Sequence, residues 1–430
     1  MFDNLLAGLS GLRNIRRIGR VAAVGPSTIT LSGLSDVAGL GDRLAFGRFG
    51  GEVVAIRPDG LTVLPDGPAE GLALGDAAVL FGPPSLAPQD GWVGRIVDPD
   101  GRPLDGRPLI QGPVPRPLRA APPPAALRRR LGPRLATGLA VFDSLLPIVR
   151  GQRLGLFAGS GVGKSTLLGN FARHVAADVV VISLVGERGR EVRAFAEDVL
   201  GPQGLGRSVI VAATSDQSPL LRRRCPLAAM AVAEHFRDQG AQVLFLCDSI
   251  TRFAEAHREV AAAGGEPVAL GGWPPSLSHA IMSLAERAGP GVEGAGDITS
   301  VFTVLVPGSD MEEPVADILR GVLDGHVVLD RAIAERGRFP AIDLLRSLSR
   351  SLPDCATPDE NTLLSEARRL LSAWHKAELM VQSGLYVPGN DQLTDRAIRL
   401  FPALDAFLAE IAPTDVPGHA FMRLAQILRS

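Results

Sequence analysis

The first hydrophobic pattern in the chain lies in residues 2–18, where apolar side chains recur at three- and four-residue spacing and arginines separate the last of them. This spacing predicts an amphipathic helix over residues 1–18. Two interpretations stay open: the helix packs on its own domain, or it docks on a partner protein or a membrane surface. The apolar positions are Phe2, Leu5, Leu6, Leu9, Leu12 and Ile15.

The pattern changes to short alternating segments after residue 18, and Gly, Pro and Asp separate these segments. Alternation of this kind predicts strands, and the turn residues Pro58, Asp59 and Gly60 between two apolar segments predict a hairpin. We therefore expect a small β-barrel over residues 19–83. Residues 84–133 are rich in Pro, Gly and Arg, which predicts an extended connection that crosses between domains.

Strand and helix patterns alternate over residues 134–350, and the strands are continuous apolar runs rich in β-branched residues. Such runs are typical of strands that are buried on both faces of a parallel sheet flanked by helices. The predicted strands are 153–157, 179–185, 208–213 and 243–247, with a helix over 164–176. Residues 351–430 show only helical periodicity, so the predicted fold is α/β with an N-terminal β-barrel and a C-terminal helical domain.

Composition narrows the class of protein. The 430 residues are 46% apolar and 21% charged, with a net charge of -2. This near-neutral balance argues against a nucleic-acid binder. Neither an apolar run long enough to span a bilayer nor a signal peptide is present in the sequence. The cysteines, Cys225, Cys247 and Cys355, have no metal or disulfide spacing, which fits a reducing cytoplasm.

The strongest chemical signal is a glycine-rich segment that follows a predicted strand and opens a predicted helix, the context of a phosphate-binding P-loop. Its backbone N–H groups would wrap the phosphates of ATP, Lys164 would meet the β- and γ-phosphates, and the Ser165 hydroxyl would bind Mg²⁺. Ala158 stands where the pattern usually begins with Gly, a mild departure because the side chain is small. The loop residues are Gly159, Ser160, Gly161, Val162, Gly163, Lys164, Ser165 and Thr166.

Two carboxylates follow predicted buried strands. Asp248 ends the strand 243–247, so its carboxylate would lie beside the phosphate loop and hold Mg²⁺. Glu187 follows the strand 179–185 and could polarise an attacking water. The alternative for Glu187 is a helix-start carboxylate that complements the helix dipole, and spacing alone does not decide between the two.

Taken together, these motifs resemble the catalytic subunits of rotary ATP synthases, and among them the ATPases of flagellar and virulence type III export. The resemblance spans nearly the whole chain, and it implies a P-loop (RecA-like) core. The matching segments are 157–166, 186–192, 248–254, 272–276, 323–329, 339–343 and 347–350.

The resemblance implies roles for five residues. Glu187 falls on the catalytic carboxylate, which favours the general base, and Arg188 falls on a residue near the γ-phosphate. Arg350 falls on an arginine finger that enters the neighbouring subunit's site. Phe339 replaces a Tyr that stacks on adenine, and stacking should survive because the ring is kept. Tyr386 is expected to close the other side of the adenine pocket.

The resemblance also has departures. The loop 266–272 lacks a Pro and a Lys that relatives carry, and Trp273 replaces a common Tyr. This loop is expected to face a central pore. The acidic segment 310–313 diverges as well, and its simplest interpretation is a solvated loop.

The expected function is Mg²⁺-dependent ATP hydrolysis that energises flagellar protein export by a homo-hexameric ring. The expected partners are a stator-like regulator at the N-terminal helix, a central-stalk protein in the pore, the export gate, chaperones and export substrates, but no nucleic acid. The expected location is the cytoplasm, in peripheral contact with the inner membrane. The alternatives are a virulence type III secretion ATPase, an RNA-translocating hexamer and a nucleotide-binding subunit that does not hydrolyse.

Overall fold

The computed structural model describes residues 15–269, 271–306, 313–413 and 418–430. The predicted N-terminal helix lies almost entirely outside these residues, and so does most of the acidic segment 310–313.

Residues from Arg17 to Gly82 form a closed six-stranded barrel with the strand order β1-β2-β5-β4-β3-β6. The predicted hairpin turn is present, since β4 ends at Arg57 and β5 begins at Gly60, its partner in the ladder. Alternating apolar side chains fill the barrel, among them Phe46, which is fully buried. The strands are β1 (Arg17–Val24), β2 (Ile29–Ser32), β3 (Arg43–Phe46), β4 (Phe49–Arg57), β5 (Gly60–Pro65) and β6 (Ala77–Gly82).

The segment 84–133, predicted as an extended connection, also supplies a strand to the central sheet. It contains β7 (Ser85–Leu86), β8 (Arg95–Val97) and β9 (Arg116–Pro117), and β8 pairs in parallel with a core strand. Because β8 has only three residues among prolines and glycines, its pattern is too short to predict a strand.

The core is an eight-stranded sheet with the order β16-β15-β10-β14-β13-β11-β12-β8. All neighbours are parallel except β16, which runs antiparallel to β15. Both faces are apolar and are covered by helices, as the continuous apolar runs predict. The remaining strands are β10 (Arg153–Ala158), β11 (Val179–Glu187), β12 (Ser208–Thr214), β13 (Val243–Asp248), β14 (Ile298–Leu305), β15 (Gly325–Leu329) and β16 (Ile342–Ser349).

Helices connect these strands, and the predicted helix over 164–176 is present with its end at His174. Polar residues cap several of the helices: Ser249 accepts a hydrogen bond from the Arg252 N–H group at the start of α5. The core helices are α1 (Lys164–His174), α2 (Gly189–Ala194), α3 (Gly201–Gly206), α4 (Pro219–Asp238), α5 (Ile250–Ala263), α6 (Ser276–Arg287), α7 (Pro314–Val322) and α8 (Arg331–Glu335).

The C-terminal part is helical, as predicted. Thr357 and Glu360 form a capping box that starts the first helix, and Arg134 binds the same glutamate with two hydrogen bonds of 3.0 and 2.9 Å. Trp374 stacks on Phe401 at 4.2 Å between ring centroids, which joins the first two helices. These helices are α9 (Pro358–Gln382), α10 (Gln392–Phe407) and α11 (His419–Arg429).

Candidate nucleotide site

The phosphate loop connects β10 to α1 at the carboxyl edge of the parallel strands. Gly161 and Gly163 have φ angles of +78° and +88°, which residues with a Cβ atom rarely adopt. Helix α1 begins at Lys164, directly after the left-handed Gly163. The loop and the helix N-terminus therefore present a concave set of backbone N–H groups to an anion.

Lys164 and Asp248 meet at this loop. The Lys164 ammonium contacts Asp248 Oδ1, and the Thr303 hydroxyl donates to the same oxygen at 2.7 Å. Asp248 is buried at the end of β13, so the strand-tip position expected from sequence holds. Sequence reasoning missed Thr303, which lies on β14 and comes close only because β14 is the neighbour of β13 in the sheet.

Glu187 is the last residue of β11, the strand on the other side of β13. It therefore lies outside helix α2, which begins at Gly189. Burial raises the pKa of Glu187 to about 7, and the adjacent Glu191 and the charge of Asp248 contribute to the rise. A carboxyl group with this pKa is suited to exchange protons near neutral pH.

Arg188 is exposed and occupies the position just before α2, where its side chain makes no capping hydrogen bond. Its Nη1 donates to Glu191 Oε1 at 3.1 Å. The hydrogen bond with Glu187 is the main cause that holds the pKa of Glu191 below its usual range, and the charge of Arg188 adds to it. The structure thus brings Arg188 to the rim of the site through Glu191, a residue to which sequence reasoning assigned no role. Glu191 lies three residues after Arg188, a spacing at which side chains on a helix meet, and this spacing in the sequence could have identified Glu191.

Phe339 covers the phosphate loop. A Cβ built on Gly163 would lie 3.2 Å from Phe339 Cδ1, so the ring packs directly on this glycine. The ring is 51% exposed, which leaves a face open to a ligand. It reaches the loop because β16 begins at the same edge, where Ile342 pairs with Leu329.

Tyr386 lies in the turn after α9, and its hydroxyl donates to Asp395 Oδ1 at 2.8 Å. The same region approaches the Phe339 segment through an ion pair of 3.0 Å between Arg336 and Glu378. A role for Tyr386 in binding adenine stays a prediction.

Arg350 lies at the opposite edge of the sheet. It follows β16, whose last residue pairs with Gly325, and its backbone N–H donates to the Asp324 carbonyl at 2.9 Å. The six residues of β10 are separated by five steps of about 3.3 Å, so roughly 16 Å of sheet separate this edge from the phosphate loop. The side chain is exposed, and its Nη2 donates to the Arg320 carbonyl at 3.3 Å.

The donor set suits Mg²⁺ that arrives with a nucleotide. Within the described residues, no group of three or more His, Cys, Asp or Glu side chains could hold a metal by itself. Ser165 offers a hydroxyl in the first turn of α1, and Asp248 offers a carboxylate that contacts Lys164, the residue before Ser165. Mg²⁺ in such sites commonly takes one or two protein ligands, with phosphate oxygens and waters completing the octahedron.

A glycine-rich phosphate loop on a parallel sheet, with a lysine, an aspartate and a glutamate at one edge, defines a P-loop ATPase core. The family model described as "ATP synthase alpha/beta family, nucleotide-binding domain" matches residues 138–349, and "T3SS EscN ATPase C-terminal domain" matches 356–411. Both matches agree with the predicted class.

Relatives match over almost the full length. A flagellum-specific ATP synthase from Caulobacter vibrioides is 45% identical, covering 99% of both chains. A type 3 secretion system ATPase from Xanthomonas euvesicatoria is 40% identical, covering 93% of this chain and 91% of that one. The assembled ATPase EscN of enteropathogenic E. coli superposes with a TM-score of 0.88 at 35% identity, covering 95% of this chain and all of EscN; in complex with its central stalk EscO the TM-score is 0.86. The chain belongs to the family of flagellum-specific ATP synthases and type III secretion ATPases.

Proposed function

We propose that this protein hydrolyses Mg²⁺-ATP at sites shared between neighbouring subunits of a homo-hexamer, and that hydrolysis energises flagellar protein export. One observation carries the proposal: Lys164, Asp248 and Glu187 converge at the edge of the sheet where the phosphate loop begins a helix. The step from nucleotide binding to export rests on the relatives, which include flagellum-specific ATP synthases.

Phosphate binding rests on this chain's backbone and on Lys164. The loop N–H groups and the dipole of α1 attract the phosphates, and the Lys164 ammonium adds a full charge. Ser165 and Asp248 would hold Mg²⁺, which neutralises phosphate charge when it is bound. The contact with Asp248 holds the Lys164 ammonium beside the loop, where the phosphates would bind.

Glu187 is proposed as the general base. Its carboxylate accepts the proton of the attacking water, and a pKa of about 7 lets the group take up and release that proton near neutral pH. The alternative, a carboxylate that only complements a helix dipole, is less favoured because Glu187 ends a strand and precedes the helix cap Arg188.

We propose that the Arg350 side chain enters the nucleotide site of a neighbouring subunit. Its own phosphate loop is at the far edge of the sheet, and among the described residues its side chain has no carboxylate partner. A guanidinium stays charged and reaches two oxygens at once, which suits the transferring phosphate.

A virulence secretion ATPase is the second candidate, because the Xanthomonas relative and EscN both belong to type III secretion systems. The test uses cells of the source organism that lack this chain. Restoring the wild-type chain, but not Lys164→Ala, should restore release of flagellar subunits into the medium. Unchanged flagellar release together with lost release of a virulence protein would overturn the flagellar assignment.

The remaining partners are proposed on the resemblance alone: a stator-like regulator or an anionic membrane surface at residues 2–17, a central stalk, the export gate, chaperones and export substrates. The protein would act in the cytoplasm at the inner-membrane export apparatus. Within the described residues no helix is long and apolar enough to cross a bilayer. Deleting residues 2–17 should abolish regulator or vesicle binding and leave basal ATPase activity; an insoluble product would instead mean that the segment covers its own domain.

A further inference from the structure

The two oxygens of the Asp248 carboxylate have different surroundings. Oδ1 accepts a hydrogen bond from the Thr303 hydroxyl at 2.7 Å and also contacts the Lys164 ammonium. Among the described residues, no hydrogen bond reaches Oδ2. The protein therefore binds Oδ1, and Oδ2 is the oxygen that a metal ion or one of its waters can use.

Thr303 lies in the middle of the sheet, between the two strands that carry the site. It belongs to β14, which pairs on one side with β13, the strand that ends in Asp248. On the other side Thr303 pairs with Leu156 of β10, the strand that leads into the phosphate loop. Phe302 pairs with Cys247, so the residues that follow them, Thr303 and Asp248, are level at the carboxyl ends of their strands. Strand pairing on both sides fixes the backbone from which the hydroxyl reaches the carboxylate.

Thr303 places a hydroxyl among apolar side chains. It is fully buried, and its strand neighbours Val301 and Val304 belong to the apolar layers on the two faces of the sheet. A buried hydroxyl lowers stability unless it forms a hydrogen bond. Among the described residues, the hydrogen bond of the Thr303 side chain goes to Asp248. The contact with Asp248 therefore accounts for a threonine at a position where a valine would fill the same space.

The Thr303 hydroxyl fixes the rotation of the Asp248 carboxylate. The terminal torsion of an aspartate side chain has only a broad, twofold preference, so the backbone alone does not orient the two oxygens. A hydrogen bond from a hydroxyl to an ionised carboxylate is short and strong, because the acceptor carries a charge. With Oδ1 bound by Thr303, the direction of Oδ2 is fixed as well.

Lys164 is less suited to this task than Thr303. Its ammonium is a compact charge on a flexible stem, and the phosphates of a nucleotide compete with Asp248 for it. Thr303 has no competing partner among the described residues, because its side chain is buried and bound to Asp248. The contact from Thr303 is therefore the one that can persist when phosphates occupy the loop.

We propose that Thr303 is a positioning residue for Mg²⁺: its hydroxyl holds Oδ1 of Asp248, so that Oδ2 is oriented for the metal ion that arrives with a nucleotide. This inference rests on the proposed function, because it assumes a Mg²⁺-nucleotide site that contains Asp248. Thr303 acts on the metal through Asp248, so its loss should affect nucleotide binding only when Mg²⁺ is present.

Binding of a fluorescent ADP analogue to the full-length protein, measured over a range of Mg²⁺ concentrations, tests the proposal. Thr303→Val keeps the branched shape and removes the hydroxyl. The Mg²⁺ concentration that gives half of the effect on affinity should rise about ten- to a hundredfold, the usual loss when a residue that orients a metal ligand is removed. Affinity in excess EDTA should stay within about twofold of the wild type, because the phosphate loop is intact. Thr303→Ser keeps the hydroxyl and should restore most of the wild-type Mg²⁺ dependence.

Ser300→Ala is the matched control. Ser300 lies on the same strand and is fully buried, and its hydroxyl has no hydrogen-bond partner within the described part of the chain. Its removal should leave the Mg²⁺ dependence unchanged, which would show that loss of a buried hydroxyl from β14 is not sufficient for the effect.

Three results would overturn the role of Thr303 alone: a wild-type Mg²⁺ dependence in Thr303→Val, a Thr303→Ser variant that behaves like Thr303→Val, or an equal loss of affinity with and without Mg²⁺. The last result would mean that Thr303 supports the phosphate loop rather than the metal ligand. A wild type that does not bind the analogue, or whose affinity does not respond to Mg²⁺, would overturn the proposed function as well.

Discussion

The two edges of the central sheet differ in how many residues of the nucleotide site each one carries. At the carboxyl edge, the phosphate loop, Lys164, Asp248 and Glu187 lie together and Phe339 covers the loop. At the other edge Arg350 is exposed, with a backbone carbonyl as its side-chain partner. The carboxyl edge carries the phosphate loop and its lysine, whereas the other edge carries an exposed arginine at a distance from the loop of its own subunit.

This difference follows from strand direction. Because β16 runs antiparallel to β15, its first residues reach the phosphate loop while Arg350, after its last residue, is carried to the far edge. A side chain does not reach across roughly 16 Å of sheet, so Arg350 does not contact the phosphate loop of its own subunit. The difference supports the proposal that the catalytic unit is a pair of subunits, and variants at each edge test it separately.

The largest effect is expected for Lys164→Ala at the carboxyl edge. The substitution removes the positive charge that faces the β- and γ-phosphates and leaves Asp248 with Thr303 but without its cationic partner. ATP hydrolysis should fall to background and nucleotide affinity should drop, as measured by phosphate release and equilibrium binding. Turnover that survives in the purified variant would refute the assignment of the phosphate loop.

Arg350→Ala at the other edge should lower turnover by about 10³- to 10⁵-fold, the usual worth of an arginine finger. Nucleotide affinity should stay near the wild-type value, because the phosphate loop is intact. Phosphate release measures turnover, and binding of a fluorescent nucleotide measures nucleotide affinity. A matched loss of affinity would mean that Arg350 supports its own subunit's fold.

Glu187→Gln should lower turnover by about 10²- to 10⁴-fold while Mg²⁺-ATP still binds, since the amide keeps the shape and loses the base. The wild-type kcat/KM should also fall as pH drops below about 7, because protonated Glu187 cannot accept a proton. A variant that hydrolyses ATP at the wild-type rate would leave Glu187 with the helix-start role.

Phe339→Ala should give the smallest effect. Loss of the ring from Gly163 removes a stacking surface worth about 1–3 kcal/mol, so KM for ATP should rise roughly five- to a hundredfold with little change in kcat. Phe339→Tyr keeps the ring and should behave like the wild type. Equal effects of both substitutions would show that the ring does not contact the base.

The sequence predicted the parts of the fold and site that depend on contiguous residues. The phosphate loop, the Asp248 strand tip and the apolar core strands follow from local patterns, and the α/β class with a barrel and terminal helices is confirmed. The bounds also agree closely: β11 was expected over 179–185 and ends at Glu187.

What the sequence could not predict depends on the order of strands. Thr303 binds Asp248 only because β14 is the neighbour of β13, and β8 joins the sheet with three residues. The edge at which Arg350 lies requires knowing that β16 is antiparallel. Long-range pairing leaves no periodic signal in the chain, so these features appear only in the structure.

Mixing two inactive variants tests the shared site most directly. Arg350→Ala has an intact phosphate loop, and Lys164→Ala has an intact finger. When they assemble together, some interfaces pair a working loop with a working arginine, so phosphate release should partly return, above the activity of either variant at the same total concentration. A mixed assembly that stays as inactive as its parents would contradict a site built from two subunits.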